Sequence, residues 1–174
     1  MSVTPLNSSF DHYIRAGWSL VPIPPSTKGP RTPGWNKREN ALKSGSVLPP
    51  GFGVGLMHAY SGTMALDIDA WEPAKGMLLE HGIDLTTLYA AADAVTIESG
   101  NPGHGKLLYA MPFGMTLASK KITYSEEGQN KVAFELRCSS SNHTTVQDIL
   151  PPSTHVSTGR SEEHTSELQS PSGS

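Results

Sequence analysis

Two aspartates stand two residues apart on an apolar stretch of the chain, in the segment MALDIDAW. The residues from Met64 to Ile68 are typical of a buried strand, in which residues i and i+2 point to the same face. Asp67 and Asp69 would therefore lie side by side, and each carboxylate would disfavour ionisation of the other. A hard divalent cation such as Mg2+ or Mn2+ resolves this conflict, because it binds carboxylate oxygens together with water or phosphate. The spacing thus predicts a metal site for phosphate chemistry.

The composition indicates one ordinary intracellular domain. The 174 residues can bury a real core, and the 17 glycines and 14 prolines predict many loops and short strands. No apolar run approaches the roughly 18 residues of a membrane span, and no signal pattern opens the chain. The single cysteine, Cys138, excludes an internal disulfide and a cysteine-rich zinc site, and favours a reducing compartment. The net charge of −3 argues against extended basic patches, although a local cationic groove for nucleic acid is compatible with it.

The end of the chain, residues 160–174, differs from the rest. It reads RSEEHTSELQSPSGS, lacks apolar periodicity and contains one large aliphatic residue, Leu168. Such a polar tail is typical of disorder. It also resembles the translation of a common sequencing-adapter oligonucleotide, so we expect the natural protein to continue differently after Gly159. The predicted organisation is a C-terminally truncated domain over residues 1–159, followed by a non-native disordered tail.

The pattern of apolar and turn residues predicts more strands than helices. Helices are expected after Asn7 or Ser8 and over Arg38–Lys43, Glu72–His81 and Leu85–Ala92. Strands are expected over Trp18–Ile23, Phe52–His58, Gly62–Asp69, Ala94–Glu98, Lys106–Ala110, Lys131–Cys138 and Thr144–Leu150. The second and third strands would be joined by a tight turn near Tyr60, and Pro22 would place the first strand at a sheet edge. Because hairpins are mixed with helical crossovers, the predicted class is α+β.

Four polar patches accompany these strands, in the order Asp67/Asp69, SGNPGHGK, FELRC and QDILPPSTH. The glycine-rich patch is not a Walker loop, because it lacks the Gly-Lys-Ser/Thr ending. Its glycines would nevertheless let backbone amides approach phosphates closely. In FELRC, Glu135 and Arg137 share one strand face by their spacing of two. Each patch alone is as compatible with a plain loop or a solvated strand face.

Taken together, the patches resemble the archaeo-eukaryotic primase superfamily, and most closely the bifunctional primase/polymerase N-terminal domain of phage and plasmid replication proteins. The resemblance runs from about Gly17 to Gly159, through GWSLVPIPPSTKGPRTPGW, GVGLMHAYSGTMALDID, FELR and PPSTHVSTG. It implies a strand-rich primase-polymerase core with an RRM-like sheet and flanking helices. It also implies an enzyme that uses Mg2+ or Mn2+ to join nucleoside triphosphates into primers, and to extend them, on a single-stranded DNA template.

The resemblance further implies roles for individual residues. Asp67, Asp69 and Glu135 would be catalytic and would hold the metals. Relatives carry a histidine that contacts the incoming triphosphate before a strand, and here Lys106 occupies that place, with His104 as the second candidate. Further nucleotide-binding residues would be Ser99, Arg137, Ser153 and His155, with Gln147 also lining the pocket, and Lys28 would contact template or phosphate. Arg137 could instead simply pair with the acidic cluster.

The same resemblance implies a biological setting. The protein would act in the cytoplasm of a prokaryotic host, encoded by a phage or plasmid, without contact with a membrane. A helicase domain would accompany it in the full-length chain. The alternative is an inactive nucleic-acid-binding module for replication initiation on the same scaffold. The intact trio of Asp67, Asp69 and Glu135 favours the enzyme.

Overall fold

The computed structural model describes residues 8–98 and 101–153, together with the backbone of a short strand at residues 163–164. The helices are α1 (Ser8–Arg15), α2 (His58–Ser61), α3 (Trp71–Glu80) and α4 (Leu85–Ala90), with a 3-10 turn at Arg38–Asn40. The strands are β1 (Leu20–Ile23), β2 (Gly53–Met57), β3 (Thr63–Ile68), β4 (Val95–Glu98), β5 (Gly105–Ala110), β6 (Lys120–Glu126), β7 (Gln129–Arg137), β8 (Gln147–Ile149) and β9 (Glu163–His164). The strand-rich α+β class is therefore confirmed. Within the described residues, no helix has the length and apolarity needed to cross a membrane.

The strands form two antiparallel sheets. The smaller sheet has the order β1–β2–β8, and the larger has the order β6–β7–β3–β5–β4–β9. In the larger sheet β3 lies between β5 and β7. β1 is the outer strand of the smaller sheet, so Pro22 lies at a sheet edge as predicted, where its missing N–H group is tolerated. Apart from β9, the tail of residues 160–174 lies outside the described residues, and its assignment stays a prediction.

The two faces of β3 contribute to two different cores, because successive side chains alternate between the faces. Leu66 and Ile68 pack under helices α3 and α4. Ala65, on the opposite face, packs with Leu56 of the smaller sheet. Asp67 follows the alternation of Ala65 and therefore lies on the face that looks toward the smaller sheet. The candidate site thus forms between the two sheets.

The predicted pairing of the two strands on either side of Tyr60 is wrong. β2 ends at Met57, the helical turn α2 follows, and β2 and β3 belong to different sheets. Ser61 Oγ donates to the Met57 carbonyl oxygen at 2.8 Å and accepts from the Ser19 amide at 2.9 Å, which stabilises a helical turn in place of a hairpin. Gly62 leaves the turn with φ at +63°, a conformation that favours glycine. The chain uses this turn to pass from one sheet to the other.

Three further elements differ from the expectation. The helix expected over Arg38–Lys43 is a single 3-10 turn, and the strand expected over Thr144–Leu150 is shorter. β6 was not predicted. It pairs with β7 across a turn in which Glu127 and Gly128 both have positive φ. Glutamate rarely adopts that conformation, so the hairpin carries no strong turn signal in the sequence.

Candidate active site

A row of charged side chains crosses the six-stranded sheet. Asp67 of β3 lies directly opposite Glu135 of β7 on one side and Lys106 of β5 on the other. Glu135 in turn lies opposite Lys121 of β6. Directly opposed residues of antiparallel strands share a face. The fold therefore brings two carboxylates that are remote in the sequence onto adjacent strands, between two lysines.

Asp69 extends this row beyond the end of β3. β6 and β7 shift their register between Ile122 and Thr123, which leaves Ala133 as the extra residue of a β-bulge. The Ala133 carbonyl oxygen accepts hydrogen bonds from the backbone amides of Asp69 and Ala70, both at 3.0 Å. These hydrogen bonds thus hold the backbone of Asp69 against β7, the strand that carries Glu135.

The rim of the site joins Asp69 to the glycine-rich loop before β5. Asp69 Oδ1 lies 4.0 Å from His104 Nδ1, and both side chains are 40% exposed. Asp67 is more enclosed, with 20% of its side chain exposed. The two aspartates therefore differ in environment, although both belong to one motif.

The Asp67 carboxyl group is poorly compensated by the protein around it. Burial raises its pKa from 3.8 to about 6, and the charges of Asp148 and Asp69 add to the effect. The positive charges of Lys106 and Arg137 act in the opposite direction but do not cancel the burial. A carboxylate held in this state is an attractive ligand for a cation, since the cation supplies the missing positive charge.

Arg137 pairs with the acidic residues in this structure. Its Nη1 atom lies 3.2 Å from Glu135 Oε2, and its Nε atom lies 3.0 Å from Asp148 Oδ2. Its Nη2 atom donates to the Gln147 carbonyl oxygen at 2.8 Å. Of the two interpretations drawn from the sequence, pairing within the cluster is the one observed, and a contact with triphosphate stays a prediction.

Asp148, on β8 of the smaller sheet, is the centre of the charge network. Only 3% of its side chain is exposed. Its Oδ1 atom lies 3.0 Å from Lys106 Nζ, and its Oδ2 atom lies 3.0 Å from Arg137 Nε and 2.8 Å from His58 Nε2. His58 Nδ1 in turn lies 2.9 Å from Thr63 Oγ1. One buried carboxylate of the smaller sheet therefore contacts two basic side chains of the larger sheet, Lys106 and Arg137, and His58 of α2.

These contacts keep Asp148 charged despite its burial. Burial alone would raise its pKa, but Lys106, the hydrogen bond from His58 and the charge of Arg137 together hold the pKa well below its usual range. Burial alone would likewise lower the pKa of Lys106, yet the charges of Asp148 and Asp67 raise it. Buried charges of this kind persist only when they are paired and hydrogen-bonded, as they are here.

Sequence reasoning missed Asp148, His58 and Lys121. Asp148 carried a usable signal, because it stands between Val146 and Leu150 at an alternating position of a strand, where a core residue is expected. His58 carried none, since it follows the apolar run of β2 like an ordinary strand end. Lys121 lies on the strand that was not predicted.

The chain as a whole matches a known protein family. The sequence model of the family described as bifunctional DNA primase/polymerase, N-terminal, matches residues 11–171. The chain belongs to this family. The match spans nearly the entire sequence and confirms the resemblance carried by the four motifs. The comparison with curated proteins found no match.

Three other residues were expected at the nucleotide site of this primase/polymerase domain, and the structure describes one of them, Ser153. Ser99 and His155 lie outside the described residues. Ser153 is 5% exposed, and its hydroxyl accepts a hydrogen bond from the Val54 amide at 3.1 Å. Its side chain is thus engaged with the backbone of β2.

Gln147 of β8 contacts the loop that contains Lys28 and precedes the 3-10 turn. The Gln147 side-chain amide donates to the Lys28 carbonyl oxygen at 3.3 Å. The Lys28 side chain is exposed. Gln147 therefore holds the backbone of the loop while the lysine faces solvent, where a phosphate can reach it.

Members of the primase/polymerase family typically depend on a metal ion. Among the described residues, no three His, Cys, Asp or Glu side chains converge closely enough to hold one ion by themselves. Mg2+ usually takes one or two protein carboxylates and completes its shell with water and substrate phosphate. Asp67, Asp69 and Glu135 offer such oxygens, and Asp67 lacks full compensation of its charge. On these grounds the residues fit the ion.

Proposed function

We propose that this domain synthesises primers and extends them on single-stranded DNA, joining nucleoside triphosphates at the site between its two sheets. Membership of the primase/polymerase family supports this class of reaction. The observation that carries the proposal is the row in which Asp67 stands between Glu135 and Lys106. It combines acidic oxygens for metal binding with a cation for phosphate on one rigid sheet, and positioning and charge neutralisation are what phosphoryl transfer requires of a protein.

Asp67, Asp69 and Glu135 would hold Mg2+ or Mn2+. When bound, such ions activate the attacking 3′ hydroxyl group and stabilise the negative charge of the leaving pyrophosphate. Asp67 contributes a carboxylate whose environment disfavours its isolated charge, and strand pairing with β5 and β7 keeps it in place. Asp69 adds oxygens at the solvent-exposed rim.

Lys106 would contact the triphosphate of the incoming nucleotide. Its ammonium group is 3.0 Å from Asp148 and remains permanently charged, because the neighbouring carboxylates raise its pKa. His104, at the exposed rim, would assist from the glycine-rich loop, in which Gly103 allows close approach of the backbone. Arg137 would add a second cation, and the sequence also predicts contacts from Ser99 and His155.

The template and the wider setting follow from the same proposal. Single-stranded DNA would be bound by contacts that follow the backbone, with exposed Lys28 as one phosphate contact. We expect action in the cytoplasm of a prokaryotic host as part of a phage or plasmid replication system. A helicase domain in the same full-length chain would supply the single-stranded template.

The deciding experiment is template-directed nucleotide incorporation by the purified full chain, with and without a pre-annealed primer, in Mg2+ and in Mn2+. Labelled products are expected both with and without the pre-annealed primer. The Asp67→Asn variant should form no such products. Products that form equally well in the variant would contradict the proposed site. Extension of a primer without synthesis of a new one would limit the proposal to polymerase activity.

A non-catalytic module for nucleic-acid binding is the second candidate. One observation favours it: Glu135 is already paired with Arg137, and Asp67 already faces Lys106. Such a network can stabilise a scaffold without catalysing anything. The two candidates are separated by measuring DNA binding and incorporation on the same sample. Binding of single-stranded DNA without incorporation in either metal would favour the module.

A further inference from the structure

We propose that Asp148 is a positioning residue of the nucleotide site, which holds Lys106 and Arg137 in the places where they receive a triphosphate. The inference rests on the proposed function and deepens it, since it explains how the two cations are oriented. Asp148 lies on the opposite sheet from the row of Asp67 and Glu135. Its carboxylate therefore contacts Lys106 and Arg137 from the sheet that faces the row.

Asp148 holds two long cationic side chains at once. Lys106 and Arg137 reach Asp148 through different oxygens of one carboxylate, at 3.0 Å each. Long lysine and arginine side chains carry about 2 kcal/mol of rotamer entropy, which binding a ligand would otherwise have to overcome. A buried carboxylate that already fixes both chains removes much of that cost before the nucleotide arrives.

Two carboxylates compete for the ammonium group of Lys106. Lys106 Nζ is 3.0 Å from Asp148 but 3.7 Å from Asp67, so its closer partner is on the other sheet. Without Asp148, the ammonium group would be free to move onto Asp67 and neutralise it. Asp148 thus keeps the Asp67 carboxylate available for a cation and the lysine available for phosphate.

Asp148 is itself held in place by a buried histidine. An ionised carboxylate can only accept hydrogen bonds, so His58 Nε2 donates to it, over 2.8 Å. His58 is completely buried at the start of α2, and its other ring nitrogen lies 2.9 Å from Thr63 Oγ1. The helical turn that joins the two sheets thus orients the carboxylate.

The test is a double-mutant cycle on nucleotide affinity in the full chain. Binding of a deoxynucleoside triphosphate with Mg2+ is measured by calorimetry for wild type, Asp148→Asn, Lys106→Met and the double variant. Loss of one charged hydrogen-bond partner should weaken binding about tenfold in Asp148→Asn. If Asp148 acts through Lys106, the same change should weaken binding at most about threefold in the Lys106→Met background. Equal losses in both backgrounds would overturn the inference.

Two controls separate positioning from general destabilisation. Tyr13→Phe removes the buried hydrogen bond from Tyr13 to the Pro151 carbonyl oxygen, at 2.9 Å, and should leave nucleotide affinity unchanged. Circular dichroism reports whether each variant folds. If Asp148→Asn does not fold, His58→Leu replaces it in the cycle, because it removes one hydrogen bond to the carboxylate and no acidic charge.

The outcomes distinguish this inference from the proposed function. Wild type that binds and incorporates nucleotides, with unchanged affinity in Asp148→Asn, overturns the inference alone. Coupled losses of affinity in a protein that incorporates nothing support the inference and overturn the polymerase function. Wild type that binds no nucleotide overturns both.

Discussion

The ammonium group of Lys106, on the six-stranded sheet, contacts the carboxylate of Asp148, on the three-stranded sheet, at 3.0 Å. This contact closes the candidate active site between the sheets. It also draws the lysine away from Asp67, which is 3.7 Å distant. The site therefore consists of a row of carboxylates and lysines on one sheet and, on the other, a buried carboxylate that pairs with one of those lysines.

Replacing Asp67 with asparagine should abolish catalysis while preserving the fold. The change removes the central carboxylate of the row and leaves a side chain of nearly the same size. We expect nucleotide incorporation to fall at least about 100-fold, the loss typical of removing a single electrostatic contact in an active site. Primer extension in Mg2+ measures it, and a rate near that of wild type would contradict the metal-site assignment.

The same substitution should raise the stability of the metal-free protein near neutral pH. Folding raises the pKa of Asp67 from 3.8 to about 6, so the folded state binds its proton more tightly than the unfolded state does. The resulting stabilisation is present below about pH 4 and is lost as pH rises through about 6. Above that range, the ionised carboxylate should cost the wild type about 3 kcal/mol relative to Asp67→Asn.

Urea unfolding of both proteins with a chelator, across this pH range, measures the difference. The two free energies of unfolding should nearly coincide at acidic pH and should separate as pH increases, with the variant more stable. A difference that stays constant with pH would show that the carboxyl group does not titrate as we infer.

Lys106→Ala should raise the KM for nucleotide more than His104→Ala does. Lys106 is a permanently charged group on a rigid strand, 26% exposed, whereas His104 lies 40% exposed in a loop. We expect increases of about tenfold and about twofold respectively, since a charged contact on a fixed element contributes more than an exposed one. Steady-state primer extension at varied nucleotide concentration gives both values. The reverse order would transfer the role to the histidine.

Ser153→Ala should affect stability rather than nucleotide binding. The Ser153 hydroxyl accepts from the Val54 amide at 3.1 Å and is buried. Leaving that amide without a partner should lower the free energy of unfolding by about 1–2 kcal/mol. Chemical denaturation measures this, and the nucleotide KM of the same variant serves as the comparison. A large increase in KM with unchanged stability would restore the hydroxyl to the nucleotide pocket.

The strands that carry Asp67, Lys106 and Glu135 could be predicted, because their evidence is local, whereas β6 with Lys121 was not. A spacing of two residues places Glu135 and Arg137 on one face, and the apolar run before Asp67 marks a buried strand. The sequence could not show that β2 and β3 belong to different sheets instead of pairing with each other. A helical turn and a hairpin turn both fit the few residues between them, and tertiary hydrogen bonds such as that from the Ser19 amide to Ser61 favour the turn.

The sequence by itself therefore determined which side chains could share a face, since alternation along a strand is a property of the backbone alone. Only the tertiary structure decided which strands became neighbours. The contacts of Asp148 with His58 and Lys106 join residues far apart in the chain. Their formation depends on how the two sheets pack, because the burial that makes an unpaired carboxylate so costly exists only after the sheets have come together.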